Sequence, residues 1–159
     1  MRLRIIIKLV LVFLWMGLIF YFSNQPSASS TKMSDGVILT FAEAFCNGKS
    51  LSPNEKSEII DKYVLITRKS AHFFVYFILG ILVFNLLIEN KNLVKLILIS
   101  TFICMLYAVS DEVHQYFVYG RSCEVRDMIL DTTASFISSN ICFYIYKSRV
   151  FNKRTNNIR

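Results

Sequence analysis

The chain has no C-x-x-C pair and no zinc-finger spacing. Its four cysteines, Cys46, Cys104, Cys123 and Cys142, are scattered. That excludes a structural zinc or a dithiol centre built from a local cysteine motif. No internal repeat is visible, which argues against a repeat architecture. Acidic residues are few, 11 against 18 Lys and Arg, for a net charge of +7. In a soluble chain such an excess points to nucleic acid. Here the basic residues sit mainly at the two chain ends, where membrane topology uses them, so no nucleic-acid partner is expected. No small-x-small cleavage site follows the first apolar run. That run therefore reads as an uncleaved anchor rather than a signal peptide, although MRLR precedes it.

What is abundant is apolar surface. Of 159 residues 54% are hydrophobic, with 14 Phe and 8 Tyr, too apolar for an ordinary soluble domain. Runs at residues 5–22, 70–88, 93–109 and 128–147 each approach the length of a hydrocarbon core. The expectation is an all-α polytopic membrane protein, one domain with four transmembrane helices and the lipid bilayer as its solvent. The fourth run is the most polar, and its Ala134, Ser135, Ser138 and Ser139 allow close helix approach. Gly80 reads as another close-packing point. Cys104 and Cys142 lie in spans and read as buried thiols.

The segment between the first two runs, 23–69, reads as external. SNQPSASSTKMSDG is rich in turn residues and is expected to be a loop. From Leu51 the sequence LSPNEKSEIIDKYVLITRKS places Ser52 as an N-cap with Pro53 at the first helical position. An apolar side follows, so a short interfacial amphipathic helix is expected to feed into the second span. Arg2, Arg4, Lys8, Lys91, Lys95, Lys147, Arg149, Lys153, Arg154 and Arg159 share one side in a four-span topology. The positive-inside rule puts that side, and both termini, in the cytoplasm. The 110–127 loop then faces outward. Cys46 and Cys123 both fall outside and are the pair available for a disulfide.

That loop, which opens on SDEVHQYFVYGR, carries the chemistry together with the helix ends beside it. Arg68, His72 and Tyr76 are four apart on one helical face, with Lys69 beside them. Asp111, His114 and Gln115 share a face if the third span continues as a helix. Glu124, Asp127, Asp131, Ser135 and Ser138 form a stripe on the fourth span. Asp131 falls about one turn inside the bilayer boundary, where a lipid-facing carboxylate costs roughly 2.5 kcal/mol or more. It therefore needs a partner, and Arg121, Arg126 and Arg68 are the cations at hand. No acidic residue continues it inward, which argues against an ion path. Three chemistries stay open. Arginine–carboxylate pairs could simply clamp the helix ends. His114 or His72 could act as a general base oriented by Asp111 or Glu112, with Arg121 and Lys69 holding a phosphate. Asp111 and His114, three apart, could ligate a metal with His72. Gly120 before Arg121 reads as a turn.

RKSAHFFVYFILG, residues 68–80, resembles the first signature of the VanZ-like family: a lysine, a histidine–phenylalanine pair, a tyrosine and a glycine. SDEVHQYFVYGRSCEVRDMILDTTAS, residues 110–135, resembles the second: an Asp-Glu-x-His-Gln core, an aromatic, a Gly-Arg turn and two aspartates four apart. FSNQPSASS resembles the family's first external loop. Val75 stands where the family often has an acid, Tyr119 where a proline usually precedes Gly-Arg, and Ala134 and Ser138 where glycines are common. The resemblance implies a polytopic protein of the bacterial cell membrane, in a family named for a member linked to teicoplanin resistance. The family's biochemical activity is not established, so the resemblance names neither a reaction nor a cofactor. The expected function is an outward-facing polar site for an anionic, lipid-linked cell-envelope ligand. A purely structural clamp and a membrane-embedded hydrolase or transferase are the alternatives.

Overall fold

A computed structural model describes residues 2–45, 51–88 and 93–156, with side chains described as far as residue 150. The order is α1 (Arg2–Ser23), α2 (Ser27–Phe45), α3 (Pro53–Leu87), α4 (Leu93–Tyr116) and α5 (Val125–Asn156). Cys46 lies outside the described residues, so the Cys46–Cys123 pairing falls there too. Cys104 is a buried free thiol, Cys142 only partly so, and Cys123 is exposed.

Among the described residues three helices, α1, α3 and α4, are long and apolar enough to cross a membrane, not the four expected. The missing one is α5. Its polar residues point inward: Asp131, Ser135, Ser138 and Ser139 have no exposed surface. Their partners belong to the same bundle, as where the Ser100 and Ser139 hydroxyls meet at 2.9 Å. Its outward face, with Ile129, Phe136, Ile141 and Tyr144, is apolar and exposed. The same inversion holds across the molecule. Phe13, Leu14, Val94 and Leu98 are all more than half exposed, while Asp111, Glu112 and Gln115 are buried. A bundle that turns these polar groups inward, beside an apolar core of Leu79, Val83, Phe84 and Leu96, and shows an apolar outer surface suits lipid and would be unstable in water.

The contacts set the directions. Lys8 Nζ donates to the Asn85 carbonyl at 2.8 Å and Trp15 Nε1 to the Val75 carbonyl at 2.8 Å, so α1 runs opposite to α3. Tyr107 donates to the Met16 carbonyl at 2.6 Å and Gln115 to Ser23, so α4 runs with α1. α5 packs most extensively on α3 and α4. Asp131 meets His72 near one end, Ser135 and Ser138 meet Gly80 further along, and Cys142 and Phe143 pack on the cluster of Phe84, Leu96 and Ile97 at the other end, so α5 runs with α3. Ser23, His72, Glu112, Gln115 and Asp131 thus gather at one end of the bundle.

Two elements differ from expectation. The serine-rich loop is the helix α2. Its hydroxyls do not terminate it, because they bond back to carbonyls one turn earlier: Thr31 to Ser27 at 2.9 Å, Ser34 to Ser30 at 3.2 Å and Thr40 to Gly36 at 2.7 Å. Packing on α3, with Ile38 buried, supplies what local propensity lacks. The interfacial helix, in turn, does not lie separately in the interface. It is the first half of α3, an unbroken 35-residue helix of about 52 Å at 1.5 Å per residue. Ser52 is its N-cap and Pro53 follows, as the sequence indicates. Glu55 completes a capping box, and its hydrogen bonds from Ser52 hold its carboxyl below the ordinary range.

α3 and α5 touch at Gly80. A Cβ there would lie 2.8 Å from both the Ser135 Cα and the Ser135 carbonyl oxygen, and would collide with Ser138 Oγ. Backbone cannot yield as a flexible side-chain tip can. Gly80→Ala is therefore expected to destabilise the protein by about 1–3 kcal/mol. Gly36→Ala, with nothing within 4 Å of its Cβ, should be neutral or mildly stabilising. Thermal unfolding of the two purified variants in one detergent checks the pair. Equal melting temperatures would show that the helices can part at Gly80 without cost.

Candidate functional site

The polar end is built in two ladders. On α3, Lys69, His72 and Tyr76 descend into the bundle. On the parallel α5, Asp127, Asp131 and Ser135 descend beside them. The top rung is an ion pair: Lys69 Nζ binds Asp127 and lies 3.9 Å from Glu124 Oε2. The next rung is His72 with Asp131, Nδ1 to Oδ2 at 3.5 Å. Asp131 thus takes a histidine rather than any of the three expected arginines. Arg126 stays exposed.

α4 runs to Tyr116, so Asp111, Glu112 and Gln115 are helical and buried and the connecting loop is shorter than expected. Glu112 enters the His72–Asp131 rung. One ligating atom from each of His72, Glu112 and Asp131 lies within 4.8 Å of the others. The loop fixes Glu112 from behind, because the Glu124 backbone N–H donates to Oε2 at 2.9 Å. Asp111 accepts from Gln115 Nε2 at 3.1 Å. His114 goes elsewhere: its ring stacks on Phe20, centroids 4.4 Å apart, and it lines neither of the two cavities at this end.

Arg121 is a fastener. Nε donates to the Gln25 carbonyl at 2.9 Å, Nη1 to Gln115 Oε1 at 2.8 Å and Nη2 to the Phe22 carbonyl at 3.2 Å. The guanidinium fork thereby ties the loop to the ends of α1 and α4. Gly120, at φ 75°, supplies the left-handed turn before it. The exposed Tyr119 gives its carbonyl to the Ser27 N–H at 3.3 Å, which joins α2 to the same knot. Burial, and then the neighbouring Arg68, pull the Arg121 pKa below its ordinary value. Arg68 itself has no hydrogen-bond or ion-pair partner among the described residues.

The polar groups therefore fall into two sets. Lys69, Asp127, Arg121 and Gln115 are engaged. Among the described residues His72 Nδ1, both Asp131 oxygens, Glu112 Oε1, Asp111 Oδ1 and the Tyr76 hydroxyl are buried with no hydrogen-bond partner, as is His114 Nε2 away from them beside Phe20. Buried polar atoms are almost always paired, so an orphaned group at one spot marks a place that something else completes.

Two cavities reach this spot. The larger, about 840 Å³, runs between α1, α2 and the first half of α3. Its walls are apolar along Met33, Val37, Ile38, Phe41 and Tyr63. Its inner end holds Arg68, His72, Tyr76, Asp111 and Arg121. The smaller, about 130 Å³, is polar, and Arg68, Lys69, His72, Gln115 and Arg121 line it. The contribution of α2 could not be anticipated while its segment read as a loop. An apolar spacing of Met33, Val37, Ile38 and Phe41 was the available signal.

A family model described as VanZ/LLP1 matches residues 8–147. Neither a curated protein nor a solved structure gave a match.

Arg121→Lys keeps the charge but loses the fork that spans three acceptors. It is expected to cost about 2 kcal/mol, with Arg121→Gln at least as costly. Thermal unfolding measures this. A lysine variant as stable as the parent would show that charge, not geometry, is what the clamp uses.

Proposed function

The chain belongs to the VanZ/LLP1 family of membrane-spanning proteins, and on that premise we propose that it binds an anionic amphiphile, a lipid-linked molecule of the bacterial cell envelope. The apolar portion would lie in the groove between α2 and α3, and the anionic head would sit by Arg68. The observation that carries this reading is the lining of the larger cavity: mostly apolar, with Arg68, His72, Tyr76, Asp111 and Arg121 gathered in the same wall. Its volume is within the range of small-molecule sites. Arg68 is the cation with charge to spare, while Arg121 and Lys69 are held by protein partners. An anion between Arg68 and Arg121 would also relieve their mutual repulsion.

The polar end is read as facing outward. Lys8, Lys147 and Arg149 lie towards the opposite end, in keeping with the positive-inside rule. An outer-leaflet envelope ligand would be the route to altered teicoplanin susceptibility, scored by expression in a host lacking the protein. The purely structural reading accounts for Arg121 and Lys69. It leaves the orphaned His72, Glu112 and Asp131 atoms without a reason.

Two measurements test this reading. In native mass spectrometry of detergent-purified protein, a polyprenyl phosphate is expected to bind at least ~10-fold more tightly than the matching polyprenol, about 1.4 kcal/mol. Arg68→Gln should erase that difference, and Ile38→Trp, which fills the groove, should weaken both ligands. Equal retention of phosphate and alcohol by the parent protein would sink the head-group assignment. Unchanged binding by Ile38→Trp would sink the groove. Sidedness is read separately in the Cys46→Ser chain. A membrane-impermeant maleimide added to intact cells should label the exposed Cys123. Labelling only after lysis would turn the polar end inward.

A further inference from the structure

We infer that His72, Glu112 and Asp131 form a binding site for one divalent transition-metal ion of the zinc or manganese kind. Three features combine. First, one ligating atom from each residue lies within 4.8 Å of the others, and His72 Nδ1 is 3.5 Å from Asp131 Oδ2. A tetrahedral zinc with bonds of about 2.0–2.1 Å holds its ligands about 3.4 Å apart. The His72–Asp131 edge already has that length, and Glu112, within 4.8 Å of both, would have to draw inward on metal binding.

Second, the atoms that would ligate have nothing else to do. Asp131 has no exposed surface and both its oxygens lack a hydrogen-bond partner. Glu112 is 1% exposed, and Oε1 is orphaned while Oε2 is held by the Glu124 N–H. That N–H is an outer contact of the sort that orients a ligating carboxylate. Two buried carboxylates without a cation are strongly disfavoured. A single dication with a neutral imidazole balances them. The His72–Asp131 contact does not do this alone, since at 3.5 Å the histidine nitrogen makes no satisfactory hydrogen bond.

Third, the ligand set selects the metal and leaves it accessible. An imidazole with two carboxylates favours zinc or manganese over calcium or magnesium, which prefer all-oxygen shells. Three protein ligands leave at least one position open, as in catalytic rather than structural zinc sites. His72 borders both cavities, so that open position is reachable from the groove. The sequence spacing that suggested Asp111 and His114 is replaced by residues from three helices. This inference goes beyond the amphiphile reading. The metal is titrated with no lipid ligand present, so the two can fail separately.

The test is metal binding to the chelator-stripped, detergent-purified full chain. Isothermal titration with Zn²⁺ or Mn²⁺ should show one saturable site per chain and a rise in melting temperature. Asp131→Asn and His72→Gln should each weaken binding at least ~10-fold, whereas Glu58→Gln, on an exposed stretch of α3, should not. If Asp131→Asn fails to fold, Glu112→Gln carries the same test. Co²⁺ substitution gives a second readout: visible d–d bands without a thiolate charge-transfer band are expected, and the Glu112→Gln change should alter them. No saturable binding of either metal overturns the inference. So does a thiolate band, which would put the metal on cysteine, and so does undiminished affinity in the ligand variants.

Discussion

A carboxylate with no exposed surface sits one helical turn inside the polar end of this bundle, and the arrangement of three helices follows from the need to accommodate it. Asp131 cannot face lipid, so α5 must turn that side inward. Turning it inward brings Ser135, Ser138 and Ser139 along the same stripe against α3 and α4. The stripe can be buried only if the helices approach closely, which is what Gly80 and the small residues opposite it allow. Close approach then sets His72 and Glu112 beside the carboxylate. The chemistry of the site and the packing of the membrane core are one constraint seen from two ends.

Around that centre the charged residues divide their labour. Arg121 gathers carbonyls from the ends of α1 and its loop with a side chain of α4, and Lys69 closes α3 on α5. These contacts hold the mouth of the bundle in shape. The inner groups, by contrast, are left with unused hydrogen-bonding capacity. At the mouth Arg121 and Lys69 are satisfied while, among the described residues, Arg68 is not, and the open groups run from there inward along α3 to His72 and Tyr76. The neighbouring groove is apolar where the site is polar, and an amphiphile would match that combination.

Much of this was legible in the residues. The apolar runs named three spanning helices, Ser52-Pro53 marked the start of α3, and the spacing of Arg68, His72 and Tyr76 gave one face of it. The demand that Asp131 find an inward partner was also plain from its depth. The fourth run falls short of the other three in average hydropathy because residues 128–147 combine an apolar outer face with a polar inner one. An average over a helix does not say which of its faces meets lipid. The serine-rich segment was misread for a related reason. Serine and threonine favour turns when their hydroxyls compete with the backbone, yet in α2 those hydroxyls serve the helix, and α3 provides the packing that stabilises it.

The sequence by itself determined the solvent, the helical class and the inventory of polar groups. Hydropathy and periodicity are local properties, carried by each segment whatever its neighbours do. Only the tertiary structure decided which polar group meets which. His114 and His72 are equivalent candidates on paper. The parallel run of α3 and α5 brings His72 to Asp131, while the packing of α1 on α4 sets His114 against Phe20. Partner choice depends on helix direction, register and rotation, which arise from packing between segments distant in the chain and are encoded in no single stretch of it.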